Sequence, residues 1–463
     1  MNIRTVLPLV LLLSAPWALA ENPESQNFLP VRELYGPAHF GNAYEVMGAA
    51  EMADYLAEVK WMGFNSYSDW FTATDVNDPY SPEHADEKSM NRFEKKKAVY
   101  LAAREAGLKL NVIICPNHVY LNQLEDKGLA AKKGCLIQGQ LICPSTPRGR
   151  EIILDNHRNW FADTAKAGIK FNTVTAFAYD YGGCACDKCA PWILTSAKLT
   201  REIHRIAKEY HPEIEPWYCS WWWTGNDHRL FNNWAASDAP GWLRGMTMHI
   251  EYGQTRPKDV PVPAGCRKLA FVHIGYSESR GYATYGKMGP VFGKNRIPAT
   301  IAELRRLGFG GYQAYSEGLF DDVNKMVLAG LSSGRFADLD EALKAYARRF
   351  LGADEADSVH WARLLGQSVD PANPAELRKE LDRLAAKVPT NWRIAQWHSR
   401  LLLVEHANAK DANRFLDAQK ALYRDVYRLG KVDHVLDPAV GRPAWARRST
   451  EKPGTTNEML PEQ

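Results

Sequence analysis

The feature that most constrains this chain is an alternation. Between residues 30 and 335, short apolar or aromatic runs recur, each followed by a helical pattern. The runs cover 33–40, 63–70, 108–116, 171–180, 215–223, 245–251, 268–276 and 308–317. Helical spacing is clear over 52–62, 91–106, 150–167, 196–210 and 299–307, and Gly63, Gly107 and Gly308 stand where helices hand over to strands. Parallel strands need long crossovers, and a helix supplies one. Eight such units over about 300 residues predict a (β/α)8 TIM barrel. A doubly wound open sheet would show a glycine-rich phosphate turn after an early strand, and G-x-G-x-x-G is absent there. The stretches after the fifth and sixth runs conform least and read as long loops.

From Phe336 the texture becomes helical throughout. Helices are expected over 338–351, 354–367, 374–387 and 391–428, the last with a break near Asn408. Asp338-Leu339-Asp340-Glu341 and Asn373-Pro374-Ala375-Glu376 have capping-box spacing, the second with proline at the first helical position. The chain thus divides into 1–20, a signal peptide; 21–335, a catalytic barrel; 336–437, an all-helical C-terminal domain; and 438–463, a disordered tail with four prolines and no periodicity. The signal reading rests on Arg4, an apolar run over 6–13, and Ala18-Leu19-Ala20 before Glu21. It predicts a secreted or periplasmic protein. No later stretch is long and apolar enough to span a bilayer.

With 57 basic against 54 acidic residues, the net charge of +3 is too small for a nucleic-acid footprint. The unusual entries in the composition are 15 Trp and 20 Tyr. A large core would use them, and so would a carbohydrate groove, where flat rings stack on sugar faces. Eight cysteines lie after the leader: Cys115, Cys135, Cys143, Cys184, Cys186, Cys189, Cys219 and Cys266. Export favours disulfides, and Cys135 with Cys143 could close a small loop. Three thiols in six residues at Cys184, Cys186 and Cys189 also suit a structural zinc knuckle, with Cys143 as the candidate fourth ligand. Neither reading makes these cysteines catalytic.

Active sites of such barrels lie at the C-terminal ends of the strands. The run ends carry Asp69-Trp70, Asn117-His118, Tyr179-Asp180-Tyr181, Trp221-Trp222-Trp223, His249 with Glu251, Tyr276 with Glu278, and Tyr315-Ser316-Glu317. Carboxylates among aromatics suggest glycoside hydrolysis, which needs one acid and one nucleophile or base. Asp180 and Glu317 are the leading catalytic pair, because the fourth and eighth strands face each other across the ring. Asp180 is assigned the acid role and Glu317 the nucleophile or base, with the reverse assignment as the alternative. Glu251 and Glu278 are reserves, each better suited to binding substrate or to a structural role than to catalysis. Asp69, Trp70, Asn117, His118, Tyr181, Trp221, Trp223, Tyr276 and Tyr315 are the other substrate-binding candidates. Strand alternation would point Trp222 opposite to Trp221 and Trp223. No catalytic cofactor or catalytic metal is called for. There is no G-x-S-x-G elbow, no H-E-x-x-H and no P-loop.

Residues 179–192, Tyr-Asp-Tyr-Gly-Gly-Cys-Ala-Cys-Asp-Lys-Cys-Ala-Pro-Trp, resemble a cysteine-rich loop of exported bacterial TIM-barrel proteins, the α-glucuronidase-like and hexosaminidase-like glycoside hydrolases. Cys143-Pro144-Ser145, and Tyr315-Ser316-Glu317-Gly318 with Asp321, Asp322, Asn324 and Lys325, are similar to further blocks of that group, and so is the helical region. The resemblance spans roughly residues 30 to 430 and implies a carbohydrate-active barrel. Hexosaminidases that use the substrate's own acetamido group usually carry adjacent Asp-Glu after the fourth strand, whereas Tyr181 follows Asp180 here. Two ordinary carboxylates are therefore the expected machinery, acting on oligosaccharides or glycans. The rival readings are a non-catalytic carbohydrate-binding protein on the same scaffold and a metal-dependent hydrolase built from His118, His249 and His273 with carboxylates.

Overall fold

A computed structural model describes residues 21–39, 41–70, 75–132, 140–179, 182–278, 290–368 and 371–428. The expected leader and the expected tail lie outside these residues. Eight strands run parallel: β1 (Val31–Tyr35), β2 (Ser66–Trp70), β3 (Lys109–Ile114), β4 (Thr173–Phe177), β5 (Glu215–Cys219), β6 (Gly245–His249), β7 (Arg267–His273) and β8 (Gly311–Tyr315). Each pairs with its neighbour in chain order, and β8 pairs back onto β1 from Val31↔Gly311 to Tyr35↔Tyr315. The sheet is therefore a closed barrel, as the alternation requires. At the seam Gly311 has φ +144°, and a Cβ there would come within 2.1 Å of the Val31 carbonyl oxygen. Only glycine permits that approach.

Helices α1 (Ala49–Met62), α2 (Glu87–Glu105), α3 (Pro147–Lys166), α4 (Trp192–Tyr210), α5 (Gly225–Ser237), α6 (Arg296–Arg306) and α7 (Asp322–Ser332) surround it. One follows every strand except β6, where 250–266 contains no helix. Gly63, Gly107 and Gly308 all take positive φ at the expected junctions. Except for β2, which ends with its run at Trp70, the strands stop short of the apolar runs that announced them. The fifth run extends to residue 223 while its strand ends at Cys219; the eighth extends to 317 while its strand ends at Tyr315. Some residues beyond the strand ends, such as Trp221 and Trp222, line the mouth, and their aromatic composition copies that of a strand.

Alternation along the strands sorts inside from outside. Glu33, Ser66, Ser68, Asn111, Thr175 and Gln313 meet inside the barrel in one buried hydrogen-bonded group. Beyond them comes an aromatic layer. The intervening residues, such as Leu34, Tyr67, Val112 and Val174, join the larger core between barrel and helices.

After the barrel come α8 (Leu339–Phe350), α9 (Glu355–Gln367), α10 (Pro374–Ala385), α11 (Trp392–Asn408) and α12 (Ala412–Ala421). Asp338 accepts the Glu341 amide at 2.9 Å and Asn373 the Glu376 amide at 3.3 Å, so both caps form. The chain breaks after Asn408, with Lys410 at φ 54°. Arg393 of α11 ties this region to the barrel. Its guanidinium meets the buried Asp322 carboxylate at 2.6 Å and Glu58 of α1 at 2.6 Å. No helix among the described residues is long and apolar enough to cross a membrane.

Candidate active site

The barrel's C-terminal mouth has an apolar cluster separate from the main core: Tyr35, Trp70, Ile113, Cys115, Phe177, Cys219, Trp221 and Phe271, with Trp222, Tyr252 and Tyr315 packed against it. Tyr35 stands in the floor, its ring 6.0 Å from Phe177, 6.1 Å from Phe271 and 5.3 Å from Tyr315. On one side Trp221 lies 4.2 Å from His249 and 4.8 Å from His273 between ring centroids. Tyr252 covers His273 at 4.2 Å, and Tyr276 is 5.5 Å from Tyr252. On another side His118 stacks on Trp70 at 5.9 Å. It is carried there by a short antiparallel pairing of His118–Val119 with Gln140–Leu141.

Glu317 follows β8 at this mouth and is half-buried. The Tyr315 hydroxyl donates to its Oε1 at 2.7 Å. The loop carrying it is fixed from below. Tyr44 and Ser316 hydroxyls meet at 2.7 Å, Ser316 donates to Asp321 at 3.0 Å, and Lys325 donates to the Gly318 carbonyl at 2.7 Å. Lys325 also pairs with Asp321 at 2.7 Å, both fully buried. Asn324 donates to the Ile274 and Tyr276 carbonyls, holding the end of β7 beside β8. Asp321, Asn324 and Lys325 thus form the frame beneath Glu317, while Asp322 of the same block holds the helical region through Arg393.

Glu251 is exposed at the rim, 3.9 Å from His249 Nδ1 and 4.0 Å from Lys258. Burial, with Lys258 adding to it, pushes His249 down to about 3. That imidazole is neutral at working pH, suited to hydrogen-bonding a hydroxyl and unsuited to donating a proton as an acid. Trp70, His118, Trp221, Glu251, Tyr276, Tyr315 and Glu317 therefore lie at the mouth or its rim. Asp180 and Tyr181 lie outside the described residues. Tyr179 and Gly182 bracket them, and Tyr179 donates its hydroxyl to Asp227 at 2.7 Å.

Four further candidates have structural partners. Asp69 faces out of the barrel, opposite to Trp70, as alternation demands. Its carboxylate takes Lys96 Nζ at 2.6 Å and the amides of Ala38 and Trp70 at 3.0 and 2.7 Å. Asn117 is fully buried and clamps two loops, donating to the Ile142 and Gly183 carbonyls and accepting the Gly183 amide. Glu278 receives the amides of Asn295 and Arg296 and so caps α6, where a carboxylate is stabilised by the helix dipole. Trp223 points into the helical layer, 5.4 Å from Tyr218 and 4.9 Å from Phe231. The triplet is a turn, closed by the Trp223 amide on the Ser220 carbonyl, so strand alternation does not apply. Trp222 adopts φ 64°, which bulky residues rarely do, and its half-buried ring lies 6.1 Å from Trp221.

The run ends do not reveal Tyr35, Phe177, Tyr252 and Phe271 as mouth residues, and His273 stands beside them at the end of β7. Tyr35, Phe271 and His273 carried a period-two signal, because each stands two residues from another inward side chain. His118, His249 and His273 do not assemble into a ligand set. Among the described residues, the group with metal-ligand geometry is Cys143, Cys184, Cys186 and Cys189, whose sulfurs all lie within 4.8 Å of one another. Cys135 lies outside the described residues.

No protein-family model and no curated protein matches the sequence. Among solved structures, the chain is similar to a variant of the Thermobaculum terrenum O-GlcNAc hydrolase, at 12% identity over 89% of this chain and 84% of that one, with a TM-score of 0.48. It is similar to a GH138 enzyme targeting pectin rhamnogalacturonan II, at 11% identity over 86% of this chain and 59% of that one, TM-score 0.49. It is also similar to an α-amylase from Geobacillus thermoleovorans complexed with acarbose, at 10% identity over 67% and 79%, TM-score 0.38.

Proposed function

We propose that the protein is a glycoside hydrolase acting on oligosaccharides or glycans. The observation that carries this reading is the pairing of an aromatic barrel mouth with a carboxylate, Glu317, oriented by the Tyr315 hydroxyl. Flat rings suit the apolar faces of pyranose sugars. Neutral His249, the rim Glu251 and the tyrosine hydroxyls suit their edges.

The chemistry needs a carboxylic acid to protonate the leaving oxygen and a carboxylate to attack the anomeric carbon or activate water. Glu317, which accepts the Tyr315 hydroxyl, takes the nucleophile or base role. Asp180, after the strand across the ring, takes the acid role. The expected separation of the two carboxyls is roughly 5–9.5 Å, the shorter end giving retention and the longer inversion.

The test is a screen of the protein against aryl glycosides and natural oligosaccharides, with Asp180→Asn and Glu317→Gln beside it. Full activity retained in both variants sinks the two-carboxylate mechanism. Saturable sugar binding without turnover would instead support a binding protein.

A further inference from the structure

The four clustered cysteines come from two distant segments. Cys143 follows the short strand Gln140–Leu141, and Cys184, Cys186 and Cys189 lie in the loop after β4. Cys143 Sγ stands 3.8 Å from Cys186 Sγ and 3.8 Å from Cys189 Sγ. A disulfide would need about 2.05 Å. A tetrahedral ion with metal–sulfur bonds of about 2.3 Å sets its sulfurs about 3.8 Å apart. The sulfurs are therefore spaced as ligands of one ion rather than as partners in a bond.

The surroundings fit thiolates. The Ser145 hydroxyl meets Cys189 Sγ at 2.9 Å. The Cys189 and Ala190 amides both turn onto the Cys186 carbonyl, at 2.9 and 3.1 Å, which curls the loop so that its sulfurs converge. Cys143, Cys184 and Cys189 are buried, and Cys186 is the more accessible corner.

We propose that Cys143, Cys184, Cys186 and Cys189 bind one structural Zn2+. On binding, the four thiols release their protons to solvent and the four sulfurs coordinate the ion. No position is left for water, so the site is structural. Its place gives it a task. Gly183, next to Cys184, is clamped by Asn117, and the Trp192 indole N–H donates to the Ala178 carbonyl at 2.5 Å. The ion and these two bonds anchor both sides of the segment that contains residues 180 and 181. Soft thiolates select zinc over magnesium or calcium, which prefer oxygen.

The test is metal analysis of the native protein, expressed with zinc and purified without chelator. Zinc equimolar with protein, lost in Cys143→Ser and Cys189→Ser but kept in Cys266→Ser, supports the site. Replacement by Co2+ should give sulfur-to-cobalt charge-transfer absorption and tetrahedral d–d bands, and zinc removal should lower the melting midpoint. Absence of metal together with disulfide-linked peptides joining these cysteines overturns the proposal, and so does stoichiometric iron. If the serine variants do not fold, the metal content and cobalt spectrum of the native chain still decide. None of these measurements depends on turnover, so failure of this site and failure of the glycosidase reading are distinguishable.

Discussion

Two glutamates on neighbouring strands of the barrel make opposite use of the same side chain. Glu33 of β1 is fully buried, and neutral donors serve both its oxygens: Ser66, Ser68, Asn111 and Gln313. Glu317 follows β8, four residues beyond Gln313, at a half-open mouth with a tyrosine hydroxyl at its side. The first is wrapped by polar groups and holds strands together. The second is set among rings, on a loop braced from below. What separates a structural carboxylate from a candidate reactive one here is the layer it occupies.

The largest expected effect breaks this comparison at its upper end. Glu317→Gln should reduce turnover by roughly 10²–10⁴-fold, the usual worth of a positioned acid or base, with the melting midpoint unchanged. Glu33→Ala should do the reverse. It strands the Asn111 and Gln313 amides inside the barrel and should cost on the order of 3 kcal/mol in denaturant unfolding. A variant Glu33→Ala with unaltered stability would mean the polar layer is not a constraint. Arg393→Met leaves Asp322 charged and buried, and should cost a similar 3–5 kcal/mol.

Acid sharpens the contrast further. His249 stays neutral in the folded protein down to about 3, and burial likewise pushes His157, His211 and His228 down to about 4. In the unfolded chain histidine takes its proton near pH 6.5. Unfolding therefore takes up protons below that value, so stability is full above about pH 6.5 and falls toward pH 4. Glu33 acts in the other direction. Burial raises it above the ordinary carboxylate value of 4.5, against the hydrogen bonds of Gln313 and its neighbours. Its contribution is present below pH 4.5 and is lost as the pH rises through the folded value. Glu33→Gln should remove that loss, and comparing its pH–stability curve with the parent's isolates it.

The smallest effect concerns Trp222. Trp222→Gly removes the ring and relieves a left-handed conformation worth about 1 kcal/mol. The melting midpoint should hold or rise slightly while sugar affinity falls. Trp222→Ala should lose the same affinity without the relief.

The barrel was legible because its signal is spread over eight repeats of one pattern. The helical region was legible through its caps at Asp338 and Asn373, down to the break after Asn408. The site was harder to see. Locating the strand ends picked out Glu317, Trp70, Trp221 and Tyr315, but it gave no parity, so Asp69 was grouped with Trp70 although adjacent strand residues cannot share a face. Asn117 and Glu278 look like ligand-binding groups in sequence. Only the fold shows that backbone amides and carbonyls take up their hydrogen bonds. The left-handed turn at Trp222 has no local signature, since glycine usually marks such a turn and none is present.

That turn also limits how the mouth can be altered. Trp221 and Trp222 line it, while Trp223, one bond further, is mortar between β5 and α5. Exchanging the three tryptophans as a cassette would alter the mouth and loosen the wall in one stroke. Trp222 is the interchangeable tile of the set: under the proposed glycosidase reading, libraries for altered sugar preference begin there, with Trp223 left as it is.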